Sequence, residues 1–192
     1  LLAGGRLPAA THPQTAPLAT LDPADVLAPS SGLLAAQVWA LAAAPGGQLW
    51  VASGTGLQRL ADGRLGPAFT SADAAPLPDG RVTAGLLDGP AQVWLGTYAG
   101  LVQHTAAGSR LFGRERGLPD PRVTAVRRDR DGRLWVGTWR GPAWLDAGSL
   151  RVPDDAPSAP VVDLAADSAG GGMWVATAHA GLWRCAEAGC IE

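Results

Sequence analysis

Lysine and asparagine are missing altogether from the 192 residues, so every basic side chain other than histidine is an arginine. The formal net charge is −2 and no basic run forms, so the electrostatic footprint of a nucleic-acid binder is missing. Long apolar runs are missing too. The longest, around Leu33 to Ala44, is broken by Gln37 and ended by Pro45-Gly46-Gly47, too short to span a bilayer. Histidine is scarce: His12 lies in a Pro-rich leader, His104 in a segment that reads as a strand, and His179 in a loop. Acid/base catalysis needs convergent titratable groups, and neither a Gly-x-Ser-x-Gly elbow nor a His-Glu-x-x-His pair is present. "GQLWVASGTG" is glycine-rich, but no helix follows it to receive a phosphate, which argues against a nucleotide cofactor.

The composition that remains is globular, with 47% hydrophobic and 17% charged residues. The 2 cysteines, Cys185 and Cys190, frame "CAEAGC". Their spacing suits a disulfide across a hairpin, and hence an oxidising compartment; two free thiols are the alternative. Two thiols with no nearby histidine are too few to hold zinc. Leu1 to Gly5 reads either as the tail of an export signal or as the end of a preceding structural unit.

A repeat organises the rest. Trp50, Trp94, Trp135 and Trp174 stand in "GQLWVASGTGLQRL", "AQVWLGTYAGLVQH", "DGRLWVGTWRGPAWL" and "GGMWVATAHAGLWRC", spaced by 44, 41 and 39 residues. Six residues after the first three stand Gly56, Gly100 and Gly141, with Gly181 one later in the fourth copy. Twelve residues before the first three stand Val38, Val82 and Val123, with Val161 thirteen before Trp174.

Each unit has the same grammar. "RVTAVRRD" reads as a strand, "DRDG" as a turn, "RLWVGT" as a second strand and "PAWLD" as a third. A weaker fourth strand is expected in "LGPAFTS", "SRLFGRE" and "LRVPD". Four strands in about 40 residues describe a β-propeller blade, so the fold class is all-β. Each repeated Trp is expected to pack blade on blade, and each repeated Gly to permit a bend. The expected divisions are a leader or remnant of a preceding blade at 1–31, then repeats at about 32–75, 76–116, 117–154 and 155–192.

Asp129 and Asp131 could suggest half of a calcium loop, but the second aspartate is not part of the repeat and the remaining ligand positions carry other residues. A plain turn is expected, and no metal site.

"GLPDPRVTAVRRDRDGRLWVGTWRG", Gly117 to Gly141, resembles the two-component regulator propeller repeat almost throughout, and the other three copies fit it more loosely. The resemblance implies the extracytoplasmic sensor of a bacterial receptor, periplasmic or extracellular, with a homodimer of that receptor among the expected assemblies. A membrane span and a histidine kinase or diguanylate cyclase would lie outside this chain. It implies no enzymatic activity in this segment, and some relatives sense glycan fragments. The family usually closes with seven blades, so four repeats suggest a fragment of a larger propeller, a small ring, or half of an assembly. The end at Ile191-Glu192 falls where a fourth strand would only be starting. A stand-alone lectin-like or protein-interaction propeller is the alternative, and a propeller lyase or hydrolase is less favoured.

In a propeller, the loops joining strands two and three gather on one face with the segments before each first strand. The repeats disagree with one another there, at Tyr98, Trp139, Arg140 and His179, with Arg81 and Arg122 just ahead of the valines. Aromatic rings can stack on sugars and arginines can pair with carboxylates or sulfates. These six residues form the candidate site for a small-molecule or glycan ligand; no cofactor is expected.

Overall fold

The computed structural model describes residues 32–33, 37–44, 48–53, 56–62, 64–66, 69–70, 82–88, 92–105 and 107–192. The leader, and Arg81 with it, lies outside the described residues. Four antiparallel sheets follow one another along the chain. The first holds β1 (Val38–Ala44), β2 (Gln48–Ser53), β3 (Gly56–Ala61), β4 (Arg64–Leu65) and β5 (Phe69–Thr70). The second holds β6 (Val82–Leu87), β7 (Gln92–Thr97), β8 (Leu101–Thr105) and β9 (Gly108–Phe112). The third holds β10 (Val123–Arg128), β11 (Leu134–Thr138), β12 (Gly141–Asp146) and β13 (Ser149–Arg151). The fourth holds β14 (Val161–Ala166), β15 (Met173–Thr177), β16 (Leu182–Ala186) and β17 (Gly189–Ile191).

Within each sheet, neighbours in sequence are neighbours in space, as tight turns between short strands require. The first strands pack side by side, β1 on β6, β6 on β10 and β10 on β14. Among the described residues this is a β-propeller arrangement with four blades. Among the described residues, no helix is long and apolar enough to cross a membrane.

Two details go beyond the repeat grammar. In the first blade the outer strand is split, with β4 and β5 both pairing with β3. Gly66 turns back between them, its N–H donating to Arg59 O at 2.7 Å. In the fourth blade the outer strand does not merely begin: β17 pairs with β16 over three residues. A disulfide joins Cys185 and Cys190, which are directly opposed across that hairpin.

The first strand of every blade carries a register shift beside its repeated valine, at Val38/Ala40, Val82/Ala84, Val123/Ala125 and Val161/Asp163. Such a bulge sharpens the strand's twist, and here it recurs with the repeat.

Three hydrophobic clusters fill the three seams between consecutive blades. Ala52 meets Val82 and Val93; Trp94 meets Val123 and Val126; Trp135 meets Val161, Leu164 and Met173. At each seam a repeated valine lies against a small residue two positions after the repeated Trp. That residue is Gly at 96 and 137, where a Cβ would approach Val123 Cγ1 to 2.5 Å and Val161 Cγ1 to 2.6 Å.

The turn aspartates hold the tryptophans in place. Asp129 Oδ1 accepts from the backbone N–H of Asp131 (3.0 Å) and Arg133 (2.8 Å), while Oδ2 accepts from Trp135 Nε1 at 2.9 Å. Asp88 repeats the clamp on Trp94 Nε1 at 3.1 Å and also receives Arg128 Nε of the next blade at 3.0 Å. In the fourth blade the turn is widened by Gly170-Gly171-Gly172, and Asp167 instead accepts from Arg184 Nε at 2.7 Å. Trp174 therefore lacks the clamp that secures Trp94 and Trp135.

Candidate loop-face site

In the second, third and fourth blades the loop between second and third strands rests on a hydroxyl. Thr97, Thr138 and Thr177 donate to the carbonyls of Gly100, Gly141 and Gly181 at 2.7–2.8 Å. The same hydroxyls accept from the backbone N–H of Ala99, Arg140 and Ala180 at 3.0–3.1 Å. The closing glycines take positive φ, +144° at Gly100, +106° at Gly141 and +77° at Gly181. A Cβ at Gly141 would also come 2.4 Å from Pro157 O, so the bend requires glycine. The hydroxyl three residues after each repeated Trp was not singled out by sequence reasoning. Its signal was available: Ser53, Thr97, Thr138 and Thr177 occupy that one position in all four copies.

In the third blade the loop is stitched to the segment entering β10, with Trp139 N–H donating to Arg122 O at 3.1 Å; Ala178 N–H and Pro160 O repeat this in the fourth blade at 2.8 Å. The stitch brings the two side chains together. The Arg122 guanidinium lies over the Trp139 ring, 4.1 Å from its centroid. Asp120, nearly fully buried, fixes the guanidinium from another side, accepting from Arg122 Nε at 2.8 Å and Nη2 at 3.0 Å. Asp120 also accepts the Arg122 backbone N–H at 3.0 Å. These bonds hold the Asp120 carboxyl below the usual range, against the opposing effect of burial. The same Asp120 hydrogen bond raises the Arg122 pKa, and Tyr98 of the preceding blade adds to it electrostatically.

Of the sequence-level candidates, the structure thus brings Arg122 and Trp139 into contact, with Tyr98 on the matching loop of the preceding blade. Trp139 remains 43% exposed. Arg140 and His179 sit at the matching loop positions of the third and fourth blades, both exposed. Arg81 lies outside the described residues. Sequence reasoning missed Asp120, the buried group that orients Arg122; its signal was the Asp two residues before Arg in "PDPR". His104 lies away from the loops, on β8, with Nδ1 2.8 Å from Ser109 Oγ, and burial lowers its pKa. Among the described residues, no group of three or more His, Cys, Asp or Glu is placed to hold a metal ion.

Residues 117–140 match the family described as two component regulator propeller. The matched residues lie in the third blade, from the approach to β10 through β11. They include Asp120, Arg122 and Trp139, so the stacked pair lies within the matched segment. No curated protein matches the chain by sequence. Among solved structures, the chain is similar to the extracellular domain of BT3049 from B. thetaiotaomicron, described as a hybrid two component system. The TM-score is 0.67 and the identity 19%, over 79% of this chain and 20% of that one. It is similar to the extracellular domain of BT4673 from the same organism, described as a one component system, with TM-score 0.64 and 21% identity over 77% of this chain and 20% of that one. It also resembles virginiamycin B lyase from Staphylococcus aureus, with TM-score 0.64 and 15% identity over 81% of this chain and 54% of that one. At these identities the likenesses show the propeller fold. The chain spans about a fifth of the length of the two extracellular domains.

Proposed function

We propose that this chain is a non-catalytic, ligand-sensing part of an extracytoplasmic β-propeller in a bacterial signalling receptor, with its ligand on the loop face. One observation carries the reading: an aromatic ring, half open to solvent, backed by a guanidinium that a buried carboxylate holds in place. Trp94 and Trp135, which pack the second and third described seams, are buried and clamped by their indole N–H. Trp139 is neither, and it stands where the copies differ. An exposed ring prepared in this way suits a sugar face, and Arg140 beside it suits an acidic substituent. The propeller repeat in the third blade and the likeness to extracellular domains of signalling systems support the receptor setting. The disulfide supports an oxidising location, periplasmic or extracellular.

The test is a tryptophan-fluorescence titration against a panel of neutral and acidic oligosaccharides. Saturable quenching or enhancement by an acidic glycan, with neutral analogues weaker, is the expected result. No response to any member of the panel would count against a glycan ligand on this face.

A further inference from the structure

Asp120 has more cationic partners than its burial requires. Arg122 alone gives it two side-chain hydrogen bonds and a third from its backbone N–H. Arg114 adds a second guanidinium from the segment between β9 and β10, its Nη2 3.4 Å from Oδ2. The Asp120 side chain is 2% exposed, whereas those of Arg114 and Arg122 are 60% and 42% exposed. A long hydrogen bond from so open a side chain contributes little to the fold.

Charge and donors are left over. One carboxylate balances one guanidinium, and among the described residues neither arginine pairs with another. Both Nη2 atoms lie on the same oxygen, Oδ2, at 3.4 and 3.0 Å, so the two forks are neighbours. Arg122 uses Nε and Nη2 on Asp120 and keeps Nη1; Arg114 uses only Nη2. The repeat does not account for Arg114. It stands twenty-one residues before Trp135, where the second copy has Asp73. The fourth copy has Val152 there, once its extra residue before Trp174 is counted.

We propose that Arg114 and Arg122 form an oxyanion subsite of the loop face, one that takes a carboxylate or sulfate group. Under the glycan-sensing reading above, on which the ligand class rests, that group belongs to an acidic oligosaccharide, and the pair anchors it in addition to Arg140. Buried Asp120 keeps the two like charges together before any ligand arrives. The oxyanion then accepts from the donors that Asp120 leaves over, as guanidinium forks and oxyanions pair. Arg122 lies over the Trp139 ring, so the oxyanion subsite adjoins the aromatic one.

Nuclear magnetic resonance of the arginine Nε–H groups in the isotope-labelled chain tests this, with sodium sulfate and sodium acetate as probes at constant ionic strength. The Arg114 and Arg122 signals should shift together and saturate. Arg151, as exposed as Arg114 but paired with Asp146, is the control and should shift little. Saturation by acetate points to a carboxylate, and by sulfate to a sulfate ester. Arg114→Gln should weaken the Arg122 response about tenfold, with a melting temperature close to the parent's. Equal shifts at all three arginines, no saturation with either probe, or an unchanged Arg122 response in Arg114→Gln would overturn the proposal. Hyaluronan and sulfated chondroitin tetrasaccharides separate the subsite from the wider reading. If they bind the parent and Arg114→Gln alike, the subsite is wrong and the glycan reading stands. If sulfate or acetate binds and neither tetrasaccharide does, the glycan reading falls and the oxyanion subsite stands.

Discussion

Arg122 lies 4.1 Å from the centre of the Trp139 ring while two of its nitrogens hydrogen-bond to Asp120, a residue with almost no solvent exposure. The cation is thus fixed by a group that a ligand cannot reach. Asp120→Asn removes the charge and leaves a single acceptor oxygen. Stability should fall by about 1 kcal/mol, because Arg122 keeps access to water. The more informative readout is the Trp139 environment. Its emission should shift and become more accessible to quencher, whereas Trp139→Phe should abolish that difference between the parent and the Asn variant.

The seams depend on small residues as much as on tryptophan. Gly137→Ala places a Cβ 2.6 Å from Val161 Cγ1. We expect a loss of about 1–3 kcal/mol in urea denaturation, the usual cost of overpacking. Val161→Ala in the same chain should recover part of it, and the double-mutant cycle should show coupling. Additive losses would mean that the two positions do not meet.

The Asp–Trp clamp is a second device of the repeat. Asp129→Ala leaves the buried Trp135 indole N–H and two part-buried backbone N–H groups without their acceptor. A loss of about 3 kcal/mol is expected. Asp167→Ala should cost clearly less, since its side-chain partner Arg184 is partly exposed and no tryptophan depends on it. Equal losses at the two positions would contradict the clamp.

Much of this was legible because a repeat reports each position four times. The phase of the tryptophans, valines and glycines in the sequence located the strands, the seams and the bends, since one side-chain environment recurs in each blade. The aspartates were legible only as turns. Their bond to an indole six residues on needs the strand to return past the turn, and spacing alone does not show that. The departures in the fourth blade were visible as an extra glycine before Trp174, but not its consequence, the loss of the clamp. The loop-face candidates rested on the copies disagreeing with one another. That signal marks variable positions and cannot say which side chains touch. The pairing of Arg122 with Trp139 comes from a backbone hydrogen bond between two segments of one blade.

Acid should weaken the fold through three aspartates. Asp120 is held low chiefly by its Arg122 hydrogen bond. Asp167 is held low by the Ala169 N–H and by Arg184. At Asp88, burial pulls the pKa upward, but the hydrogen bonds from Arg128 and Trp94 outweigh it. A carboxyl whose folded pKa lies below its unfolded value stabilises the fold above the unfolded value, about 4, and loses that contribution as pH falls through the folded value. The melting temperature should therefore hold between about pH 5 and 7 and drop below about pH 4. Asp120→Asn should make that drop shallower; an unchanged profile would show that the carboxylate is not responsible.

The most direct measurement of the central claim is calorimetric titration of the best-binding glycan into the parent chain and into Trp139→Ala, Arg140→Ala and Trp50→Phe. Trp50 lies in the first blade, away from the third-blade loop, and serves as the control. The loop-face account expects the first two variants to weaken binding at least about tenfold, a loss of about 1.4 kcal/mol, with their melting temperatures close to the parent's, while Trp50→Phe binds as the parent does. Unchanged affinity in both Trp139→Ala and Arg140→Ala would contradict it.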